Sequence, residues 1–202
     1  MQKPYSAACE RNKTVIFDTL KPYLNGLNGD LLEVGTGTGQ HAVYMAPQLE
    51  HITWHTSDVP GNHMGIKSWL KESKTQNIKA PINFKVGVDK FPKKTFYQAV
   101  YSANTFHIMS WKQVKTLIKL LGHSLRRDAL VFIYGPFKYA GQYTSPSNES
   151  FDQSLKEANP QQGIRNFEDV QTAFEKSGFT LVEDHVMPAN NQLLVFKRLE
   201  HV

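Results

Sequence analysis

Leu31-Leu32-Glu33-Val34-Gly35-Thr36-Gly37-Thr38-Gly39-Gln40-His41-Ala42 is the stretch whose reading decides the fold. A short apolar run ends on an acid, glycines follow at alternate positions, and apolar residues return at helical spacing through Ala42, Met45, Ala46 and Leu49. That order reads as strand, tight loop, helix. Glycines let the backbone turn sharply and approach a ligand with which side chains would collide. The competing reading is a glycine-rich turn with no ligand.

Upstream, Ile16, Phe17, Leu20 and Leu24 predict a helix from about Glu10 to Leu24, so residues 1–28 read as a helical cap. Downstream, Ile52–Ser57 reads as strand two, and Ile66, Trp69 and Leu70 mark the next helix. Asn83–Val88 reads as strand three and Ala99–Ala103 as strand four. Ser110 and Gln113 have the form of a capping box, opening a helix that buries Val114, Leu117, Ile118 and Leu121. Ala129–Tyr134 is a continuous apolar run, as expected for a strand covered on both faces. Asn166 is placed to cap a helix with Val170, Ala173 and Phe174 inward, stopped by Gly178. Thr180–Met187 and Leu193–Leu199 flank Pro188–Asn191 as a terminal hairpin. Strands alternating with helices predict an α/β fold with a mostly parallel sheet. Lys138–Arg165 departs from the pattern: it is long, polar and rich in Gly, Ser, Asn and Pro, and reads as an ordered lid carrying Tyr139, Tyr143 and Phe151.

With 202 residues, 40% hydrophobic and 20% charged, the chain suits one soluble domain spanning residues 1–202. One cysteine excludes an internal disulfide framework, and the eight histidines show no H-x-x-x-H pair, so no metal site is expected. No stretch approaches the roughly 18 apolar residues of a membrane span, and the N-terminus lacks a secretory core, so a cytoplasmic setting is expected. The net charge of +5 is spread over the chain, with tight basic pairs at Lys93-Lys94 and Arg126-Arg127. It shows neither a basic stripe nor an aromatic module of a nucleic-acid surface. Solvated helix faces account for it, with an acidic substrate as the alternative.

In open α/β sheets ligands bind beyond the carboxyl ends of strands, where strand order reverses, and the glycine loop sits at such an end. Gly37-Thr38-Gly39-Gln40-His41-Ala42 formally matches the dinucleotide fingerprint. Three features favour S-adenosylmethionine (SAM) over NAD. Glu33 precedes the glycines, where it can bind the cofactor's ammonium; a whole helix precedes the first strand; and the closing hairpin suits a seven-stranded methyltransferase sheet. Asp58 ends strand two, where a carboxylate accepts from ribose hydroxyls or caps a helix. Asp89 is either an adenine-amino acceptor or a turn aspartate.

Taken together, these segments resemble a known family, the small class I SAM-dependent methyltransferases that include methyltransferase-like protein 26. The likeness spans nearly the whole chain. It rests on Ala8-Cys9-Glu10-Arg11-Asn12-Lys13, the Gly37–Ala42 run, Ser57-Asp58, and Ala103-Asn104-Thr105-Phe106-His107-Ile108 with Trp111. It continues through Tyr134-Gly135-Pro136-Phe137, Thr144–Asn148 with Phe151-Asp152, Gly163-Ile164-Arg165 and Met187–Asn191. It implies a Rossmann-like class I methyltransferase fold, a mostly parallel seven-stranded sheet with a C-terminal antiparallel hairpin, SAM binding, and methyl transfer to no settled substrate. The family places Leu-Asp-Val at the end of strand three, where this chain has Val86-Gly87-Val88, so the adenine-binding carboxylate is absent or displaced to Asp89.

Methyl transfer from a sulfonium is an in-line displacement in which alignment supplies much of the acceleration. A base is needed only when the acceptor must lose a proton. His107 is the candidate base, because histidine titrates near neutrality, or else a packing histidine. Asn104 in the same turn can orient an acceptor or the methionine amino group. Tyr134 lines the acceptor pocket or is a half-buried strand aromatic. Arg11 or Asn12 folds over the cofactor carboxylate, or belongs to a solvated helix start. Ser145, Ser147, Asn148 and Arg165 are lid groups that can touch substrate, and His41 packs at its helix start. The cofactor candidates are thus Arg11, Asn12, Glu33, Gly35, Thr36, Gly37, Gly39, His41, Asp58, Val59, Asp89 and Asn104, and the catalytic candidates His107 and Tyr134. The expected activity is transfer of a methyl group from SAM to a small molecule. The alternatives are a non-catalytic SAM-binding scaffold and, more distantly, an NAD-dependent oxidoreductase.

Overall fold

Ser6 sets the start of the first helix: its hydroxyl accepts from the amide of Cys9 at 3.2 Å, satisfying a donor that the helix itself cannot. Helix α1 therefore spans Ala7–Leu24, three residues longer at its start than the apolar spacing alone requires, and buries Ile16, Phe17, Leu20 and Leu24. The computed structural model describes residues 3–92 and 95–199; Lys93 and Lys94 lie outside the described residues. The chain divides between Ser102 and Ala103 into two compact units.

The N-terminal unit carries β1 (Gly29–Val34), α2 (Gln40–Met45), β2 (Ile52–Asp58), α3 (His63–Glu72), β3 (Ile78–Asn83) and β4 (Tyr97–Ala103, whose last residue begins the second unit). Its strands lie in the order β3-β2-β1-β4, all parallel. Order reverses at β1, because the chain runs outward through β2 and β3 before returning to β4 on the other side. Leu31 and Leu32 alternate across β1 and are both fully buried, each worth roughly 1.5–3 kcal/mol of removed apolar surface.

Strand three corrects the sequence reading. Pairing of Ser57 with Ile82 and Asp58 with Asn83 ends the strand where it was expected to begin. Pro81 masked it: proline cannot donate to a ladder, but β3 is the edge strand and needs only one of its sides. The apolar run that follows is a turn. Phe84 is buried against Phe91, with ring centroids 5.8 Å apart, and Gly87 reverses the chain at φ 84°.

The C-terminal unit carries α4 (Trp111–Ser124), β5 (Leu130–Gly135), β6 (Phe137–Tyr139), β7 (Gln142–Tyr143), α5 (Pro146–Ala158), β8 (Arg165–Asn166), α6 (Phe167–Glu175), β9 (Phe179–Met187) and β10 (Asn191–Arg198). Strand β10 runs antiparallel to both β5 and β9, so the terminal hairpin forms as expected. The capping box of α4 is complete: Ser110 Oγ accepts from the Gln113 amide at 3.3 Å, and Gln113 Oε1 from the Ser110 amide at 2.9 Å. Asn166 precedes α6 without capping it; its Oδ1 accepts from the Gly141 amide at 3.2 Å instead.

Residues 138–165 are not a loop. Strands β7, β6 and β8 form a small second sheet, and α5 fills the stretch between β7 and β8. Ser145 caps α5 through the Asn148 amide, and Pro146 occupies its first turn, where a missing N–H costs nothing. The two units supply seven principal strands, four in the first and three in the second. Among the described residues no helix is long and apolar enough to cross a membrane, and no group of His, Cys, Asp and Glu is arranged to hold a metal ion.

Candidate cofactor loop and acceptor turn

In the N-terminal unit, β1 passes into the glycine loop by lending its next two amides to β2: Gly35 and Thr36 both donate to the carbonyl of Ser57, at 3.0 and 3.1 Å. Gly37 follows at φ 64°, left-handed backbone, and a Cβ on it would meet nothing within 4 Å. The loop thus faces open space at the carboxyl end of β1, the place a ligand takes in this topology. Gly39, at φ 97°, serves packing: a Cβ there would lie 3.3 Å from Trp69 Cβ and 3.4 Å from the Ile66 backbone on α3.

Glu33 ends β1 with 2% of its surface exposed. Its Oε2 accepts from Trp54 Nε1 at 3.0 Å and from Thr36 Oγ1 at 3.2 Å, while Oε1 has no hydrogen-bond partner among the described residues. Burial strips water from the charged form and pushes the carboxyl up to about 7, against the pull of the two hydrogen bonds and with a small push from the charge of Asp58. A buried acid with one unclaimed oxygen is suited to a cationic partner, whose arrival favours ionisation.

Asp58 is 7% exposed and fastens the loop. Oδ2 accepts from the Gly37 amide at 2.7 Å; Oδ1 accepts from the Val59 amide at 2.7 Å and from Asn62 Nδ2 at 2.9 Å. A carboxylate has about four acceptor sites, so capacity is left for a ligand hydroxyl. Val59 stands half-buried directly after it. Asp89 stands six residues beyond the end of β3 and closes the Gly87 turn, its Oδ2 accepting from the Lys85 amide at 2.6 Å.

The start of α1 is tied to the glycine loop through Gln40, a role the sequence did not reveal. Gln40 Oε1 accepts from the Ser6 amide at 2.6 Å and its Nε2 donates to the Ser6 carbonyl at 3.3 Å. His41 is held on both ring nitrogens, Nε2 by Asn12 Oδ1 at 2.8 Å and Nδ1 by Tyr101 OH at 3.1 Å. Since the amide oxygen only accepts, Nε2 carries the proton and Tyr101 donates to Nδ1. Burial lowers the His41 pKa to about 4, so the ring stays neutral. His41 and Asn12 therefore hold each other, and Arg11 lies exposed one residue before Asn12.

In the C-terminal unit the Asn104–Met109 turn gathers the acceptor-side candidates. Asn104 adopts φ 56° and its amide donates to the Tyr134 carbonyl at 2.8 Å, fixing the turn to the end of β5. Tyr134 itself is 3% exposed. His107 is 5% exposed, and its Nδ1 lies 3.6 Å from where a Cβ of Gly135 would stand, with Asn104 Oδ1 at 3.9 Å from the same point. Neither His107 ring nitrogen has a hydrogen-bond partner among the described residues. Burial, and then the charge of Arg165, lower its pKa to about 4.

The 138–165 segment reaches this turn directly. Phe151 of α5 meets the His107 ring edge-on at 5.3 Å. The Gly163 amide donates to the His107 carbonyl at 2.9 Å. Arg165 donates Nε to Phe106 O at 3.1 Å and Nη2 to Gln161 O at 2.9 Å and to Met109 O. Asp152, unassigned from the sequence, is 1% exposed and accepts from Tyr143 OH and the Ile164 amide, both at 2.5 Å. Asn148 bridges Thr144 Oγ1 and the Asn190 carbonyl, each at 2.9 Å. Ser147 pairs with the cap Ser145, Oγ to Oγ, at 2.9 Å. The polar groups expected to touch substrate thus bind the segment to itself, to the turn and, through Asn148, to the terminal hairpin.

The family described as "Protein of unknown function (DUF938)" matches residues 3–198 of the chain. The chain belongs to that family. Solved structures give this DUF938 chain its fold class. The S-adenosylmethionine-dependent methyltransferase SibL, in its apo form, superposes with a TM-score of 0.79 at 18% identity, over 96% of this chain and 56% of that one. Human N-acetylserotonin methyltransferase in complex with SAM gives 0.78 at 11% identity, over 95% and 53%. A putative O-methyltransferase from Nostoc punctiforme gives 0.80 at 13%, over 94% and 56%. The chain spans little over half the length of these proteins. It has the Rossmann-like class I methyltransferase fold, as its sequence led one to expect.

Proposed function

We propose that this protein is a SAM-dependent methyltransferase acting on a small molecule. One observation carries the reading: a buried carboxylate, Glu33, leaves Oε1 unclaimed at the foot of a glycine loop whose Gly37 has open space where a side chain would be. Those residues fit SAM. Glu33 would take the ammonium, the loop backbone would lie against the methionine part, and Asp58 would accept from the ribose. Bound SAM supplies an activated methyl on a sulfonium. Asp89 closes its own turn through Oδ2, six residues beyond the end of β3, which supports the reading that the adenine carboxylate of related enzymes is displaced or absent here.

On the acceptor side, Asn104 orients the nucleophile and neutral His107 accepts its proton at a ring nitrogen. Tyr134 and the Gly135 turn form the wall behind them. Three proteins of similar fold carry the name O-methyltransferase, which supports a hydroxyl acceptor. The finer kinship with the small methyltransferases that include methyltransferase-like protein 26, and a cytoplasmic place of action, belong to the same proposal. So does a lid role for residues 138–165, supported by the contacts of Phe151 and Gly163 with His107.

One observation favours a second reading, a SAM-binding protein without catalysis: a base works best with a pKa near the operating pH, and His107 sits near 4. A thermal-shift panel with SAM, S-adenosylhomocysteine, NAD and NADP tests the cofactor. A ligand at 100 times its dissociation constant stabilises by about 2.7 kcal/mol, so the two adenosyl compounds should raise the melting temperature and the dinucleotides should not. A shift with NAD alone overturns the proposal. Methyl transfer from labelled SAM into a panel of phenols and carboxylates separates catalysis from binding.

A further inference from the structure

The C-terminal unit contains a recess that the methyl-transfer reading does not use. It has a volume of about 780 Å³ and is lined by one face of α4, one face of α6 and the end of β10. Trp111, Lys115 and Lys119 stand at four-residue steps on α4, which places them on a single helical stripe. Lys176 faces them from the end of α6, and Arg198 lines the cavity from β10. Four cations therefore meet a single carboxylate, Asp169.

The Arg198 guanidinium is built in rather than incidental. The residue is 2% exposed, donates Nη1 to the Gly178 carbonyl at 2.5 Å, and lies 5.4 Å over the Phe179 ring. Gly178 adopts left-handed backbone at φ 81°, which favours glycine, and a Cβ there would also lie 2.0 Å from Arg198 Nη1 and displace it. A cation fixed in low-dielectric surroundings strengthens the positive potential of the recess and of the lysines along it.

We propose that this groove binds an acidic peptide segment of a partner protein. From Trp111 to Lys119 the stripe runs roughly 12 Å at 1.5 Å per residue, and an extended peptide covers that with about four residues at roughly 3.3 Å each. Successive glutamates or aspartates would meet Lys115, Lys119 and Lys176, with Arg198 adding attraction from beneath and the Trp111 ring offering an apolar end wall. Single-stranded nucleic acid asks for a series of aromatic platforms on which bases stack, and here the lining offers the Trp111 ring and the His123 imidazole rather than such a series. Lysines, as mobile point charges, suit carboxylates spaced along a flexible chain.

Fluorescence anisotropy of a labelled hexaglutamate peptide against the intact protein tests this. The comparison pairs the double variant Lys115→Glu/Lys119→Glu with Lys67→Glu/Lys71→Glu, an equal charge change on the exposed face of α3. The peptide should bind, with affinity falling as salt rises. The α4 pair should weaken it at least about tenfold and the α3 pair less than about twofold. Melting temperature and S-adenosylhomocysteine binding should stay unchanged in both, which separates this proposal from the cofactor reading. Absence of peptide binding, equal loss in both double variants, or tighter binding of an oligothymidylate at the same salt would each overturn it.

Discussion

Arg165 donates Nε to the carbonyl of Phe106 at 3.1 Å, one residue before His107, and thereby fixes the turn that holds the histidine. Its charge also helps to keep that imidazole neutral. Arg165→Gln should raise the His107 pKa from about 4 while leaving it below the ordinary value of 6.5, because burial is the larger cause. The imidazole signals followed by NMR against pH report this. An unchanged titration would show that the Arg165 charge is screened from the ring.

Asp152 binds α5 to the strand that follows it through Tyr143 and Ile164. Asp152→Ala leaves the buried Ile164 amide without its acceptor, at about 1–3 kcal/mol, and releases the Tyr143 hydroxyl and Lys156 to solvent. Amide exchange should quicken at Ile164 and at Gly163, whose N–H holds the His107 carbonyl. Unaltered exchange at both amides would mean that Asp152 does not fasten the segment.

Glu33 gives a pH dependence with a definite sign. Its carboxyl sits at about 7 in the fold against 4.5 as a free side chain, so the protonated form is the one the folded state favours. The stability it contributes is fully present below pH 4.5 and lost as the pH rises through 7. At about 1.4 kcal/mol per pH unit, the loss is on the order of 3 kcal/mol. Glu33→Gln removes it, so urea unfolding of the ligand-free variant should show a growing advantage over the natural sequence from pH 5 to pH 8. An advantage that does not change with pH would contradict the assignment.

Asp58 has both a structural and a binding role, which two substitutions separate. Asp58→Ala removes the acceptor for the Gly37 and Val59 amides and should lower ligand-free stability by about 2 kcal/mol. Asp58→Asn keeps one acceptor oxygen and should recover much of that stability. Both should weaken S-adenosylhomocysteine more than about tenfold, since a charged hydrogen bond contributes about 1.5–3 kcal/mol. An unchanged dissociation constant by calorimetry in either variant would remove the ribose role.

The parts of this molecule that were legible in the sequence are those where chemistry restricts residue type at one place in the chain. Gly37 and Gly39 are of this kind, and so are the capping pair Ser110 and Gln113. Helix α4 was readable because Val114, Leu117, Ile118 and Leu121 repeat at helical spacing. Helix α5 was not, because Leu155 is its only fully apolar buried side chain and its other inward groups, Asn148 and Asp152, are polar. Strand β3 was hidden by Pro81 and by the apolar turn that follows it. The tether from Gln40 to Ser6 joins residues 34 positions apart, and nothing local to either names the other. His107 was found by its residue type, but its low pKa comes from burial and from Arg165, which only the folded chain brings near.

The central claim is that the glycine loop with Glu33 binds a SAM-type cofactor, and isothermal titration of S-adenosylhomocysteine into the protein and into Glu33→Gln tests it most directly. The natural sequence should bind one equivalent, more tightly at pH 8 than at pH 6 because Glu33 must ionise to hold the ammonium, and Glu33→Gln should lose most of the affinity and all of that pH dependence. Absence of binding by the natural sequence, or equal affinity in the two proteins at both pH values, would contradict it.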